Sequence, residues 1–263
     1  MIRNPFVLGG LSATLCVASA SAALQVLASA DFSTYANGNL VGQNGWQQYN
    51  PQTTNPLQVS GGKVSWAGGV TSNDQDAMLA FANQITQPAS GTTVLNFDIL
   101  LSVASAGASP SYFAALNQNT GTSTSGNFQN VRMVAQASGS GFVFGTRVNG
   151  QGGYPFGYGT TVLNFGQTYA LRAEINLVAG NANDFINLYV GNDFNSLSLY
   201  GTAGYTTGTV ADISVGAMLL SQFGSGSVVQ SGVSVSSMSV TLVPAPGAVA
   251  LIGLAGLVAH RRK

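Results

Sequence analysis

The sequence predicts an all-β protein built as a two-sheet antiparallel sandwich, and three observations predict it. Between residues 23 and 243, short runs rich in β-branched and aromatic residues recur at regular intervals, separated by Gly, Asn and Ser clusters. Within several runs apolar and polar residues alternate with the period of two that a half-buried strand requires. Nowhere does this segment sustain the 3.6-residue period of a helix.

Taken in order, the first strong run is Thr92–Val103, with Leu95, Phe97, Ile99 and Leu101 on one side and Val94, Asn96, Asp98 and Leu100 on the other. The uniformly apolar side faces the core. Residues 127–135 and 141–148 form a hairpin across a loose loop, Gln136–Ser140. A second hairpin joins Thr168–Val178 to Phe185–Val190. Its first arm turns Tyr169, Leu171, Ala173, Ile175 and Leu177 inward and Arg172, Glu174 and Asn176 outward. Asp212–Leu220 and Gly232–Leu242 supply two further strands. In the last, Val233, Val235, Ser237, Ser239 and Thr241 alternate with Ser234, Ser236, Met238, Val240 and Leu242. Many short antiparallel strands with turns between them make a sandwich. No internal repeat or long linker divides the body, so one domain over residues 23–242 is expected.

The two ends read differently from the body. The first 22 residues, MIRNPFVLGGLSATLCVASASA, join an early Arg3 to an apolar stretch and the small triplet Ala20-Ser21-Ala22. This is the pattern of a secretory signal peptide, an N-terminal helix removed after Ala22. Cys16 follows Leu15, where lipid attachment wants a small residue, so no lipid anchor is expected. The last 21 residues, VPAPGAVALIGLAGLVAHRRK, run from a Pro-rich hinge through an uncharged stretch into a tribasic end. Residues 243–259 carry no charge, which is at the short limit of the roughly 17–25 residues of a spanning helix. Pro244 and Pro246 mark where that helix begins, and the basic end stays cytoplasmic under the positive-inside tendency.

Composition then excludes whole classes of chemistry. The chain has one Cys, Cys16, and one His, His260, and both lie in the removable ends. A trimmed body therefore lacks the imidazole of Ser-His-Asp or Cys-His catalysis and the usual zinc ligands. Disulfides are absent as well, so the body must rely on a sizeable core. Four of the eight basic residues sit in the ends, leaving four bases against eight acids and no basic stripe, which disfavours nucleic-acid binding. Charged residues make up 6% of the chain, and Gly, Ser, Thr, Asn and Gln replace them. No cofactor is implied.

The tail resembles the PEP-CTERM sorting signal of exported bacterial proteins. The pattern falls on Val243, Pro244, Pro246, the apolar run, and Arg261, Arg262 and Lys263, with Ala245 where the commonest form has Glu. The resemblance covers about the last twenty residues. It implies transient association with the membrane, processing by an exosortase-type enzyme, and delivery to the cell surface or extracellular matrix. The body's opening, Asp31–Trp46 followed by Leu57–Ser65, together with Phe144–Gly150 and the Tyr169 hairpin, resembles concanavalin-A-like jelly rolls of secreted bacterial proteins. That resemblance implies a jelly-roll sandwich.

Three candidate sites follow from the residues themselves. The loop Gly150–Gly159 sets Tyr154, Phe156 and Tyr158 among glycines that cannot shield them, a platform for the C–H faces of sugar rings. The alternative is that these rings cap the sandwich edge. Asp74 and Asp76, in the run Asn73–Asp76, offer oxygen ligands for a calcium ion, although Asp-rich loops more often serve as turns. A glycosidase needs two carboxylates facing one groove. Here Glu174, the one Glu, occupies an outward strand position, and Asp98 has no partner nearby in sequence. Trp46 and Trp66 read as core residues and Tyr49 as a surface residue. The expectation is a non-catalytic structural or adhesive protein. A lectin-like carbohydrate-binding module, meeting extracellular polysaccharide, is the alternative, and a glycan-active hydrolase ranks third.

Overall fold

The computed structural model describes residues 24–66, 74–121, 129–148, 156–204, 213–221 and 232–244. These lie within one compact unit, Leu24–Pro244. Ala20, Ala22, Pro246, Arg261, Arg262, Lys263 and Tyr154 fall outside the described residues, as do the two expected terminal helices. Among the described residues no helix is long and apolar enough to cross a membrane. Val243 and Pro244 are described, and Val243 closes the final strand.

In chain order the strands are β1 (Gln25–Asp31), β2 (Gly38–Asn39), β3 (Gln47–Gln48), β4 (Gln58–Ser60), β5 (Lys63–Ser65) and β6 (Ala77–Ile85). There follow β7 (Thr92–Val103), β8 (Ser111–Asn117), β9 (Gln129–Ser138), β10 (Gly141–Val148), β11 (Gly157–Tyr158) and β12 (Thr168–Val178). The set closes with β13 (Phe185–Gly191), β14 (Ser198–Gly204), β15 (Val215–Leu220) and β16 (Val233–Val243). All pairings between named strands are antiparallel. They form two sheets. The first runs β14-β13-β12-β7-β16-β5-β4-β2, with β1 also on β16; the second runs β11-β10-β9-β8-β15-β6-β3.

The inner faces make one core. Leu95, Phe97, Ile99 and Leu101 of β7 and Leu171, Ala173, Ile175 and Leu177 of β12 are fully buried, as the alternation requires. Across from them lie Phe113, Val131, Met133, Phe142 and Phe144 of the second sheet. Trp46 and Trp66 are buried too, and the Trp66 indole donates to the Ser221 carbonyl at 2.9 Å. At fully buried aromatic positions the hydrophobic contribution is about 1.5–3 kcal/mol per side chain.

Three details depart from the sequence expectation. The β9–β10 loop is tight rather than loose. Ser138 pairs with Gly141 and only Gly139 and Ser140 turn the chain. Gly139 takes φ +57°, the positive value that a two-residue hairpin turn demands of its first residue. The alternation of β16 switches faces part-way, because a bulge falls between Val235 and Ser237. Val233 and Val235 face the core before it, Met238 and Val240 after it. The bulge also marks where the neighbour of β16 changes from β5 to β1. Tyr49, expected at the surface, is buried with its hydroxyl donating to Asn117 Oδ1 at 2.9 Å. Burial and the nearby Asp76 carboxylate push that phenol well above the ordinary tyrosine value.

At one flank the two sheets touch. A Cβ at Gly157 would meet the Thr202 carbonyl of β14, one at Gly201 would come within 3.1 Å of the Tyr158 backbone, and one at Gly159 would enter the Tyr200 ring. Glycine is required here because β11 and β14 approach backbone to backbone. The Tyr200 hydroxyl donates to the Thr161 carbonyl at 2.6 Å across the same seam.

Candidate functional site

The outer face of the second sheet gathers most of the chemistry. Along β9 the core takes Val131, Met133 and Ala135, which sends Arg132 to the opposite face. On β10 the core takes Phe142 and Phe144, which does the same for Arg147. The hairpin register sets Arg147 directly opposite Arg132. Tyr112 of β8 lies against both, its ring centre 5.0 Å from the Arg132 guanidinium carbon and 5.9 Å from that of Arg147. Phe156, next to Tyr112, also covers Arg147, at 4.9 Å. Such contacts draw each cation to the electron-rich ring face.

The two described members of the predicted aromatic platform, Phe156 and Tyr158, come together here with ring centres 5.6 Å apart, and Phe156 lies 5.9 Å from Tyr112. All three rings are half-buried. Tyr158 pairs with Gly145, and a Cβ at Gly145 would strike its ring at 2.6 Å. The missing side chain is what lets the phenol lie flat across β10. Burial pushes the Tyr158 phenol up to about 12, reinforced by Tyr112 and opposed by Arg147, so it remains a neutral donor. Burial holds Arg147 below the ordinary arginine value, with Tyr112 opposing and Arg132 adding to the effect.

The other predicted residues are engaged elsewhere. Asp74 and Asp76 are buried, and amide side chains clasp them: Asn55 Nδ2 donates to Asp74 Oδ1 at 2.8 Å and Asn50 Nδ2 to Asp76 Oδ2 at 3.3 Å. They tie the segment around Thr54 to the start of β6, which is the turn-and-clasp role of an Asp-rich loop. No group of three His, Cys, Asp or Glu side chains suited to a metal ion occurs among the described residues.

Asp98 gains a partner that sequence distance concealed. Arg172 lies opposite it on β12 and grips it bidentately, Nε to Oδ1 at 2.7 Å and Nη2 to Oδ2 at 2.8 Å. This hydrogen bonding raises Arg172 above its ordinary value. Glu174, one step along the same face, accepts from Asn187 at 3.1 Å. An open groove of about 590 Å³ lies beside the pair, lined by Ser29, Asp31, Phe194, Ser236 and Ser237 among others. Its arginine is already matched by Asp98, unlike those of the arginine pair. Arg132, Arg147 and Tyr112 were not singled out from the sequence, and the hairpin register is the signal that finds them.

The described residues define an all-β sandwich of two antiparallel sheets with an arginine–aromatic face on the outside of one. No protein-family model and no curated protein matches the chain. Solved structures do match. An alginate lyase, Aly36B, aligns at 12% identity and TM-score 0.48 over 84% of this chain and 98% of its own. The T. cruzi calreticulin globular domain aligns at 8% and 0.47 over 85% and 94%. Arcelin-5, a lectin-like defense protein from Phaseolus vulgaris, aligns at 10% and 0.38 over 78% and 95%. The chemistry of the site therefore rests on its own residues.

Proposed function

We propose that this chain is an exported saccharide-binding protein with a jelly-roll body that adheres to polysaccharide at the cell surface or in the extracellular matrix and does not cleave it. The observation that carries the reading is the cluster of Tyr112, Phe156 and Tyr158 on the outer face of the second sheet. Apolar ring faces beside a neutral phenol donor suit the C–H faces and hydroxyl edges of sugars. Binding without turnover is favoured by the placement of the candidate acids. Asp98 is committed to Arg172, and Glu174 lies with it on the other sheet. Tyr158→Ala should weaken retention on a polysaccharide matrix by about three- to tenfold, the loss of one ring contact. Affinity electrophoresis measures this, with an unchanged melting curve as control. Undiminished retention would count against the platform.

Delivery is the second half of the proposal. A signal peptide ending near Ala22 and a tail that resembles a sorting signal, handled by an exosortase-type enzyme, route the body outward through the membrane. The intact mass of protein recovered from the producing cells should show loss of the first 22 residues and of part of the tail. Retention of Met1 would contradict export.

A further inference from the structure

Resting on the saccharide-binding reading, we propose that the polymer is acidic, and that its carboxylate or sulfate groups sit against the paired guanidinium groups of Arg132 and Arg147. Four cations remain in the body once the ends are set aside: Lys63, Arg132, Arg147 and Arg172. Arg172 is matched by Asp98 and Lys63 stands exposed beside a turn. The other two are placed opposite each other on neighbouring strands. Like charges directly opposite across a ladder destabilise it, so the arrangement is unfavourable in the protein alone.

No ion pair among the described residues relieves it. The one ion pair there joins Arg172 to Asp98, and the Nε of Arg132 and of Arg147 are each buried without a hydrogen-bond partner. Rings take the place that a carboxylate would fill. Tyr112 and Phe156 hold the guanidinium groups by their faces and exclude water from their flanks, while both side chains stay half-buried and keep some surface open to solvent. A planar fork held in place and partly desolvated is suited to bidentate recognition of an oxyanion. An anion bridging the two would remove their repulsion as it binds. The adjoining Tyr158 and Phe156 rings then carry the sugar to which the anion belongs. Because the trimmed body is acidic, with four bases against eight acids, recognition is local rather than a product of the whole molecule's field.

The test is a titration of the secreted protein, by calorimetry or affinity electrophoresis, against polygalacturonate, the same polymer with its carboxyl groups reduced to alcohols, a sulfated galactan and single-stranded DNA. The protein should bind at least one acidic polysaccharide about tenfold more tightly than the reduced polymer, the difference of one charge-assisted contact. Preference between the uronate and sulfate arms assigns the anion. Arg132→Gln and Arg147→Gln should each remove most of that difference, and Arg147→Lys should restore part of it. Neither glutamine variant should melt lower, since each relieves the opposed charges. Equal binding of native and reduced polymer overturns the acidic assignment and leaves the saccharide reading intact; that comparison needs no variant. Failure to bind any polysaccharide sinks both. Tighter binding to DNA than to every polysaccharide overturns the proposal in favour of a nucleic-acid ligand.

Discussion

Phe142→Ala should destabilise the domain by about 3–5 kcal/mol, the usual result of removing a fully buried aromatic ring. Phe142 is the hub of the aromatic part of the core. Its ring meets Phe144 edge-on at 4.9 Å, stacks on Phe165 at 5.3 Å and meets Tyr169 edge-on at 5.9 Å. These contacts join the β9–β10 hairpin to the segment before β12, and so bind one sheet to the other. The loss should lower the melting temperature by roughly 10 °C, given 2–4 °C per kcal/mol for a domain of this size. Phe142→Leu, which keeps most of the volume, should cost much less. A melting shift below about 3 °C for the alanine variant would mean that the ring cluster does not join the sheets as described.

Asp184→Ala should have an effect of similar size through a different mechanism. The Asp184 carboxylate is almost completely buried at the end of the β12–β13 connection. Oδ1 accepts the Val178 amide at 2.8 Å, and Oδ2 accepts the Ile213 amide at 3.1 Å. Val178 ends β12 in the first sheet, and Ile213 leads into β15 in the second. Removing the carboxylate orphans both amides at about 1–3 kcal/mol each, so a loss of about 2–6 kcal/mol is expected by urea unfolding. Asp184→Asn retains one acceptor oxygen and should fall between. Hydrogen exchange at Val178 and Ile213 should accelerate in the alanine variant. If both amides keep their protection, the carboxylate is not their acceptor.

The legible parts of the fold are those with one wet face. Thr92–Val103 and Thr168–Val178 alternate cleanly, and both become strands with the expected inward residues. Strands β6 and β8 escape a reading by alternation because the second sheet is apolar on parts of both faces. Tyr49, Met78, Ala115, Ala217 and Leu219 form a second buried cluster on its outer side. A strand covered on both sides loses its period of two, as the wholly buried β15 shows. The same cluster explains why Tyr49 is inside.

The candidate site was half legible. Phe156 and Tyr158 stand out as rings among glycines, whereas Arg132 and Arg147 look like ordinary strand polar residues until the turn is located. Once Gly139 and Ser140 alone make the turn, each step back from Ser138 is matched by a step forward from Gly141, and Arg132 meets Arg147. The loop Gln136–Ser140 read from the sequence, three residues longer on one side, conceals the meeting. Tyr112 and the Asp98–Arg172 pair depend on pairings between distant strands, which local pattern cannot supply.

Sheet borders invite foreign strands, and proteins commonly repel them with lysines or other charges. This chain has few charges to spare. Along one flank, β11 pressed by its glycines onto β14 does the work instead, filling with the molecule's own main chain the space that an incoming copy would need. A chain that is nearly uncharged thus keeps that border from templating fibrils by geometry instead of by charge.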